Sequence, residues 1–94
     1  MGATLRKKMI ELLEEEELDA LELSGMLSIR EKEVYEHLPH IARSLAASGR
    51  KLIISPYHCL VCGYSFGKRD RFDRPGRCPK CKEGHIRMAT YCIK

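Results

Sequence analysis

Cys59, Cys62, Cys78 and Cys81 stand in the pattern C-x2-C-x15-C-x2-C. Two Cys-x-x-Cys pairs at this separation are a four-thiolate metal motif. Two residues between paired cysteines let one tight turn aim both sulfurs at a single ion, with nearby backbone N–H groups pointing at them. Gly63 directly follows the first pair and supplies the unusual dihedral such a turn needs; Pro79 stiffens the second turn. Four sulfurs fill a tetrahedral shell and leave no open position, so the metal's role is structural. One zinc ion is the expected cofactor. The alternatives are two disulfides or free thiols, and a cytoplasmic chain disfavours the disulfides.

Iron is the weaker choice of metal. The stretches CLVCGY and CPKC resemble the two knuckles of rubredoxin, which carries iron for electron transfer. Here the loop between the pairs is shorter than in rubredoxin, and Lys82 stands where a glycine would follow Cys81. Cys92 has no partner at ligand spacing and reads as a small buried residue. His58 and His85 flank the motif, but four cysteines already close the shell. His37, beside an apolar position, reads as packed or surface rather than as a base contact.

The loop between the cysteine pairs, GKRDRFDRPGR, holds Lys68, Arg69, Arg71, Arg74 and Arg77, with Phe66 and Phe72 interleaved. Cations and aromatics in this mixture suit phosphates and a DNA groove. A solvated loop whose Asp70 and Asp73 pair with its own arginines, or a protein-docking loop, is the competing reading. The surrounding charge is uneven. Residues 1–50 carry seven Lys or Arg against ten acids, and residues 51–94 carry ten against three. Glu14–Glu17 read as a solvated face that points away from any phosphate backbone.

Other elements must position this unit. Leu5, Met9, Leu12 and Leu13 share one helical face, with Thr4 as a cap. Asp19 caps a short helix to about Met26, with Leu23 and Leu27 inward. Gly25 and the Leu27–Ser28 step suit a turn. Ser28 with Glu31 has the capping-box spacing for the next helix. There Val34, Leu38, Ile41 and Leu45 form the core face. Pro39 predicts a kinked or two-piece helix ending near Ser48–Gly49. KLIISPYHC and HIRMATYCI each read as a strand, with the cysteine unit between them. The expected fold class is α+β: a winged helix-turn-helix with a four-cysteine zinc ribbon inserted in the wing. Residues 1–50 would form the helical core, and residues 51–94 the wing strands carrying the ribbon (59–81).

In a helix-turn-helix, the second helix reads the major groove from its N-terminal end. That stretch, REKEVYEH, offers Arg30, Lys32 and an exposed Tyr35, opposed by Glu31, Glu33 and Glu36. The chain has no Asn or Gln, so the usual bidentate reader of adenine is missing. With the ribbon loop, the candidate DNA contacts are Arg30, Lys32, Tyr35, Lys68, Arg69, Arg71 and Arg74.

Three stretches, LDALELSGMLSI, EVYEHLPHIARSL and CLVCGY…CPKC, resemble a family of archaeal predicted transcriptional regulators that join a helix-turn-helix to a rubredoxin-like zinc ribbon. The resemblance spans nearly all 94 residues. It implies Cys59, Cys62, Cys78 and Cys81 as ligands and a transcriptional regulator that binds double-stranded DNA. A protein module that docks on transcription machinery through the ribbon, and a rubredoxin-like electron carrier, are the alternatives. No nucleophile–base pair, glycine-rich phosphate loop or open metal position appears, so no enzyme is expected. Winged helices commonly dimerise, which adds a second copy to the expected partners. No apolar run approaches the ~20 residues of a membrane span, and the charged N-terminus lacks the apolar centre of a signal peptide. A cytoplasmic protein without membrane contact is expected. The missing Asn and Gln, beside many Lys, Arg and Glu, are also the composition drift of heat-adapted proteins.

Overall fold

The computed structural model describes residues 2–67 and 72–94. The first helix, α1 (Gly2–Glu15), buries Met9 and Leu13 and half-buries Leu5 and Leu12, the face that their spacing predicts. It begins before Thr4, which therefore lies within the helix rather than at its cap.

A two-residue strand follows, β1 (Leu18–Asp19). Two residues show no periodicity, so the sequence pattern does not announce it. Asp19 then caps α2 (Ala20–Leu27). Its carboxylate accepts the Glu22 N–H at 2.8 Å, and the Glu22 carboxylate accepts the Asp19 N–H at 3.0 Å. The capping box is therefore here, and not at Ser28–Glu31. Ser28 ends α2 in the left-handed region, with φ 56° and ψ 43°, while its own N–H and that of Ile29 donate to the Ser24 carbonyl. A residue that closes one helix in this way does not hold the extended geometry of an N-cap. The cap of α3 (Glu31–Ala47) falls to Arg30, whose side chain makes no capping bond.

Helix α3 runs as one element through Pro39, which is exposed. Val34, Leu38, Ile41 and Leu45 are all buried on its opposite side. Burial of four such side chains, at about 1.5–3 kcal/mol each, outweighs the ~3 kcal/mol of an internal proline. The α2–α3 pair packs closely, and α1 lies across the sheet.

The two sequence segments read as single strands are each divided. The first gives β2 (Leu52–Ser55) and β3 (His58–Cys59), broken at Pro56; the second gives β4 (Ile86–Arg87) and β5 (Thr90–Ile93). Proline supplies no N–H to a ladder, so the strand path changes there. A three-stranded antiparallel sheet has the order β1-β5-β2, with Leu52 opposite Ile93 and Leu18 opposite Tyr91. β3 and β4 form a separate two-stranded ribbon, with Cys59 opposite Ile86. The cysteine unit hangs from that ribbon, between β2 and β5 in the chain. The described residues form a small mixed α+β domain of three helices and antiparallel sheets carrying a four-cysteine cluster. Among the described residues, no helix is long and apolar enough to cross a membrane.

Candidate metal centre and the loop beside helix α3

The two cysteine pairs are held by the same backbone device, used twice. In the first, the Cys59 N–H donates to Tyr64 O at 2.8 Å and the Gly63 N–H to Cys59 O at 2.9 Å. In the second, the Cys78 N–H donates to Glu83 O and the Lys82 N–H to Cys78 O, both at 2.9 Å. Each position in one knuckle matches the position nineteen residues later in the other. The residue after each second cysteine is left-handed: φ is 79° at Gly63 and 67° at Lys82. Lys82 therefore occupies the glycine position of its turn without being glycine.

These turns gather the sulfurs. All four Sγ atoms lie within 4.8 Å of one another, with Cys59–Cys81 at 3.4 Å and Cys62–Cys78 at 3.5 Å. A tetrahedron with Zn–S bonds of about 2.3 Å has S···S edges near 3.8 Å, so the cage is of the right size. Cys59 and Cys78 are buried, and Cys62 and Cys81 half-buried.

Backbone N–H groups point inward at the sulfurs. Those of Cys62 and Val61 hold the Cys59 thiol down at about 6, against the cost of its desolvation. The Cys78 thiol is also lowered, desolvation being outweighed by the N–H groups of Cys81 and Lys80. At Cys81 the Glu83 N–H pulls down, but desolvation and the three neighbouring sulfurs push the thiol up to about 12. Cys62 is raised as well: the Tyr64 N–H pulls it down, and desolvation with Cys78 and Cys59 outweighs it. Two thiols favour the charged form and two resist it. Four thiolates at this distance need a cation, and a divalent ion leaves the centre at a net −2. The donor set fits a soft tetrahedral metal such as zinc or iron. His58 and His85 are not among the clustered ligands. Cys92 lies apart on β5 and is half-buried rather than buried, because its side chain faces the outer side of the sheet beside Ile53.

The segment that leads into the second knuckle docks on the head of α3. Arg74 forms a two-pronged ion pair with Glu31, Nη2–Oε1 at 2.8 Å and Nε–Oε2 at 3.1 Å. The Tyr35 hydroxyl donates to the same carboxylate. Tyr57 donates to the Phe72 carbonyl at 2.8 Å and lies 3.3 Å from the Tyr35 hydroxyl. Tyr35 is therefore half-buried against the core and not the exposed ring that the sequence suggests. Burial, and then the Glu31 carboxylate, push its phenol well above the ordinary tyrosine range. Arg30 and Lys32 are exposed on the same end of the helix. Lys68, Arg69 and Arg71 lie outside the described residues. An open groove lined by Lys32, Tyr35, Glu36, Pro39, Phe72 and Asp73 runs between helix and loop. His37 accepts from Arg6 Nε at 3.1 Å, which ties α3 to α1.

The site thus rests also on a link that the sequence pattern leaves out, from Glu31 through Tyr35 and Tyr57 to the loop. The N–H donors and the place of Lys82 were legible from the spacing of the two cysteine pairs. The tyrosine link was not, since Tyr35 and Tyr57 stand on separate elements.

Comparison with known proteins follows the same division. Residues 4–53 match the model of the PF0610-like N-terminal family. The solution NMR structure of protein PF0610 from the archaeon Pyrococcus furiosus is 34% identical and superposes with a TM-score of 0.84, over 98% of this chain and 90% of that one. The chain belongs to the PF0610-like family. Its family match ends inside β2, before the first cysteine, whereas the structural likeness carries on through the metal unit. Among curated proteins no match is found.

Proposed function

We propose that this member of the PF0610-like family is a winged helix-turn-helix regulator of transcription that binds double-stranded DNA, with one structural zinc ion holding its wing. α2 and α3 would be the helix-turn-helix, with Ser28 at the turn, and β2 and β5 the wing strands. The observation that carries the reading is the Arg74–Glu31 tether. It joins the basic cysteine loop to the N-terminal end of α3, the two places where such a protein meets DNA, and it neutralises an acid that would otherwise face phosphates. Arg30 and Lys32 stay exposed beside it. The zinc would be held by Cys59, Cys62, Cys78 and Cys81 and would supply a rigid cross-link, with no open position for chemistry.

A second reading is favoured by Glu33 and Glu36, which remain on the same helix without a cationic partner among the described residues. In it, the α3–loop groove takes a protein of the transcription machinery instead of a duplex.

Fluorescence anisotropy with a mixed-sequence duplex, from about 50 to 200 mM salt, separates them. The DNA reading predicts affinity that falls with salt. Arg30→Ala with Lys32→Ala, and Arg69→Ala with Arg71→Ala, each reduce the log–log slope by about 1 for every phosphate no longer neutralised. No binding to any duplex at the lowest salt refutes the DNA reading and leaves protein docking. One zinc per chain in colourless protein as purified supports the structural assignment; a red iron protein overturns it in favour of electron transfer.

A further inference from the structure

β2 is an edge strand. In the order β1-β5-β2 it has β5 on one side and, among the described residues, no strand on the other. Edges of this kind are usually shielded by charge, bulges or proline. This one shows Ile53 and Ile54, 38% and 45% exposed, on its two faces. Lys51 precedes the strand and Pro56 follows it.

The free backbone groups follow from the ladder. Lys94 N–H donates to Lys51 O at 3.0 Å, and the register sets Leu52 opposite Ile93. Residues in an antiparallel ladder alternate between bonding toward one neighbour and the other. Lys51, Ile53 and Ser55 therefore turn their N–H and C=O toward β5. Leu52 and Ile54 turn theirs toward the open edge.

We propose that this edge is the seam of a homodimer, in which β2 pairs antiparallel with β2 of a second copy and Leu52 of each lies opposite Ile54 of the other. This register forms two reciprocal hydrogen-bonded pairs and uses every outward group of the strand. It places the two Ile53 side chains across the two-fold axis as a close, non-hydrogen-bonded pair. It also places Lys51 opposite Ser55 of the second copy. Ser55 Oγ donates to the Glu17 carboxylate at 3.0 Å, and Thr90 donates to the same oxygen. Glu17 makes no ion pair among the described residues, although Arg87 and Lys94 act on it at longer range. Lys51 therefore meets a carboxylate across the seam, twice by symmetry. Pro56 ends the ladder for want of an N–H, and the two-fold closes the assembly, so pairing stops at two chains. A seam of about five residues per copy lies below standard interface size, so the dimer is weak.

Sedimentation equilibrium of the full, zinc-loaded chain over roughly 10–500 μM is expected to show a monomer–dimer equilibrium. Amide exchange measured across that range slows at Leu52 and Ile54 as concentration rises, and not at Ile53, whose N–H is already bonded to β5. Ile53→Lys sets two ammonium groups at the axis and raises the dissociation constant at least about tenfold. Ile54→Pro deletes an N–H that β5 does not use, and has the same effect with the β5 ladder intact. Lys51→Glu weakens the dimer roughly fivefold, and Lys51→Glu with Glu17→Lys recovers it. A monomer throughout the range overturns the proposal. So does a dimer whose Leu52 and Ile54 amides exchange at the same rate at both ends of it. Where a variant fails to fold, the wild-type exchange pattern decides the matter.

Discussion

The matched knuckles allow one substitution in each to be predicted with opposite signs. Gly63 and Lys82 hold the same left-handed backbone, at φ 79° and 67°, and the same hydrogen bond to the carbonyl four residues back. A residue with a Cβ meets about 1–2 kcal/mol of strain in that region. Glycine avoids the strain but enlarges the unfolded ensemble, by about 0.4–1 kcal/mol. A Cβ added at Gly63 would have nothing within 4 Å, so packing does not enter the balance. Lys82 is exposed, so little is lost with its side chain. Gly63→Ala should therefore destabilise the zinc-loaded protein by about 0.5–1 kcal/mol, and Lys82→Gly should stabilise it by a similar amount. For a domain of this size, 1 kcal/mol moves the melting temperature by about 4–8 °C. If the strain is incurred only with the metal bound, a chelator competition at neutral pH shows the same energies as about two- to fivefold changes in zinc affinity, of opposite sign. Both variants moving in the same direction would refute the argument, because no common effect on the backbone gives that result.

Three further outcomes test the site and its supports. Cys78→Ser should lose the metal, read as zinc per chain by elemental analysis, while Cys92→Ser keeps one ion per chain, since Cys92 stands outside the cage. The Arg74–Glu31 pair should show a coupling below about 1 kcal/mol in a double-mutant cycle of Arg74→Ala and Glu31→Gln, because the side chains remain 46% and 26% exposed. Bonds from Thr90 first and Ser55 second hold the Glu17 carboxyl below its ordinary range. Its share of stability is therefore complete above about pH 4.3, the unfolded value, and is lost as pH falls through the lower folded value. Denaturant titrations at a series of pH values should show that acid-side loss reduced in Glu17→Gln.

What the sequence announces are the features fixed by local spacing. The four cysteines carry their geometry in two residues of separation. The face of Val34, Leu38, Ile41 and Leu45 carries α3 on as one helix through Pro39, where the proline alone argues for a break. Asp19 and Glu22 make the capping box that Ser28 and Glu31 also advertise. Both stretches have the right spacing, and only the left-handed turn at Ser28 decides between them. The rest is set by tertiary contact. Pro56 divides a continuous apolar run between two sheets. β1 exists because β5 has a free side for it. Tyr35 is drawn inward by Tyr57, and Arg74 is held by Glu31, each pair far apart in sequence, whereas Tyr35 and Glu31 meet as an i, i+4 pair on one helix.

That last cluster changes how the charge of the chain should be read. The division into an acidic first half and a basic second half suggests two surfaces of opposite sign. In the fold, cations outside the helices reach back to helix acids: Arg50 to Glu14 within the first half, and Arg74 of the second half to Glu31 of the first. Each link cancels one charge of either sign, and the second does so where the two halves meet. Near the start of α3, the acid cancelled is the one beside Arg30 and Lys32. The count of acids in REKEVYEH therefore overstates the repulsion a phosphate would meet there, and the count of arginines in the cysteine loop overstates the attraction. On the proposed reading, the deciding quantity is the balance left after these links, with Arg30 and Lys32 set against Glu33 and Glu36 and the loop cations added. A salt slope measures that balance directly. Glu31→Gln, which frees Arg74 without adding a cation, should steepen the slope by about one phosphate's worth if the loop meets DNA, and should leave it unchanged if it does not.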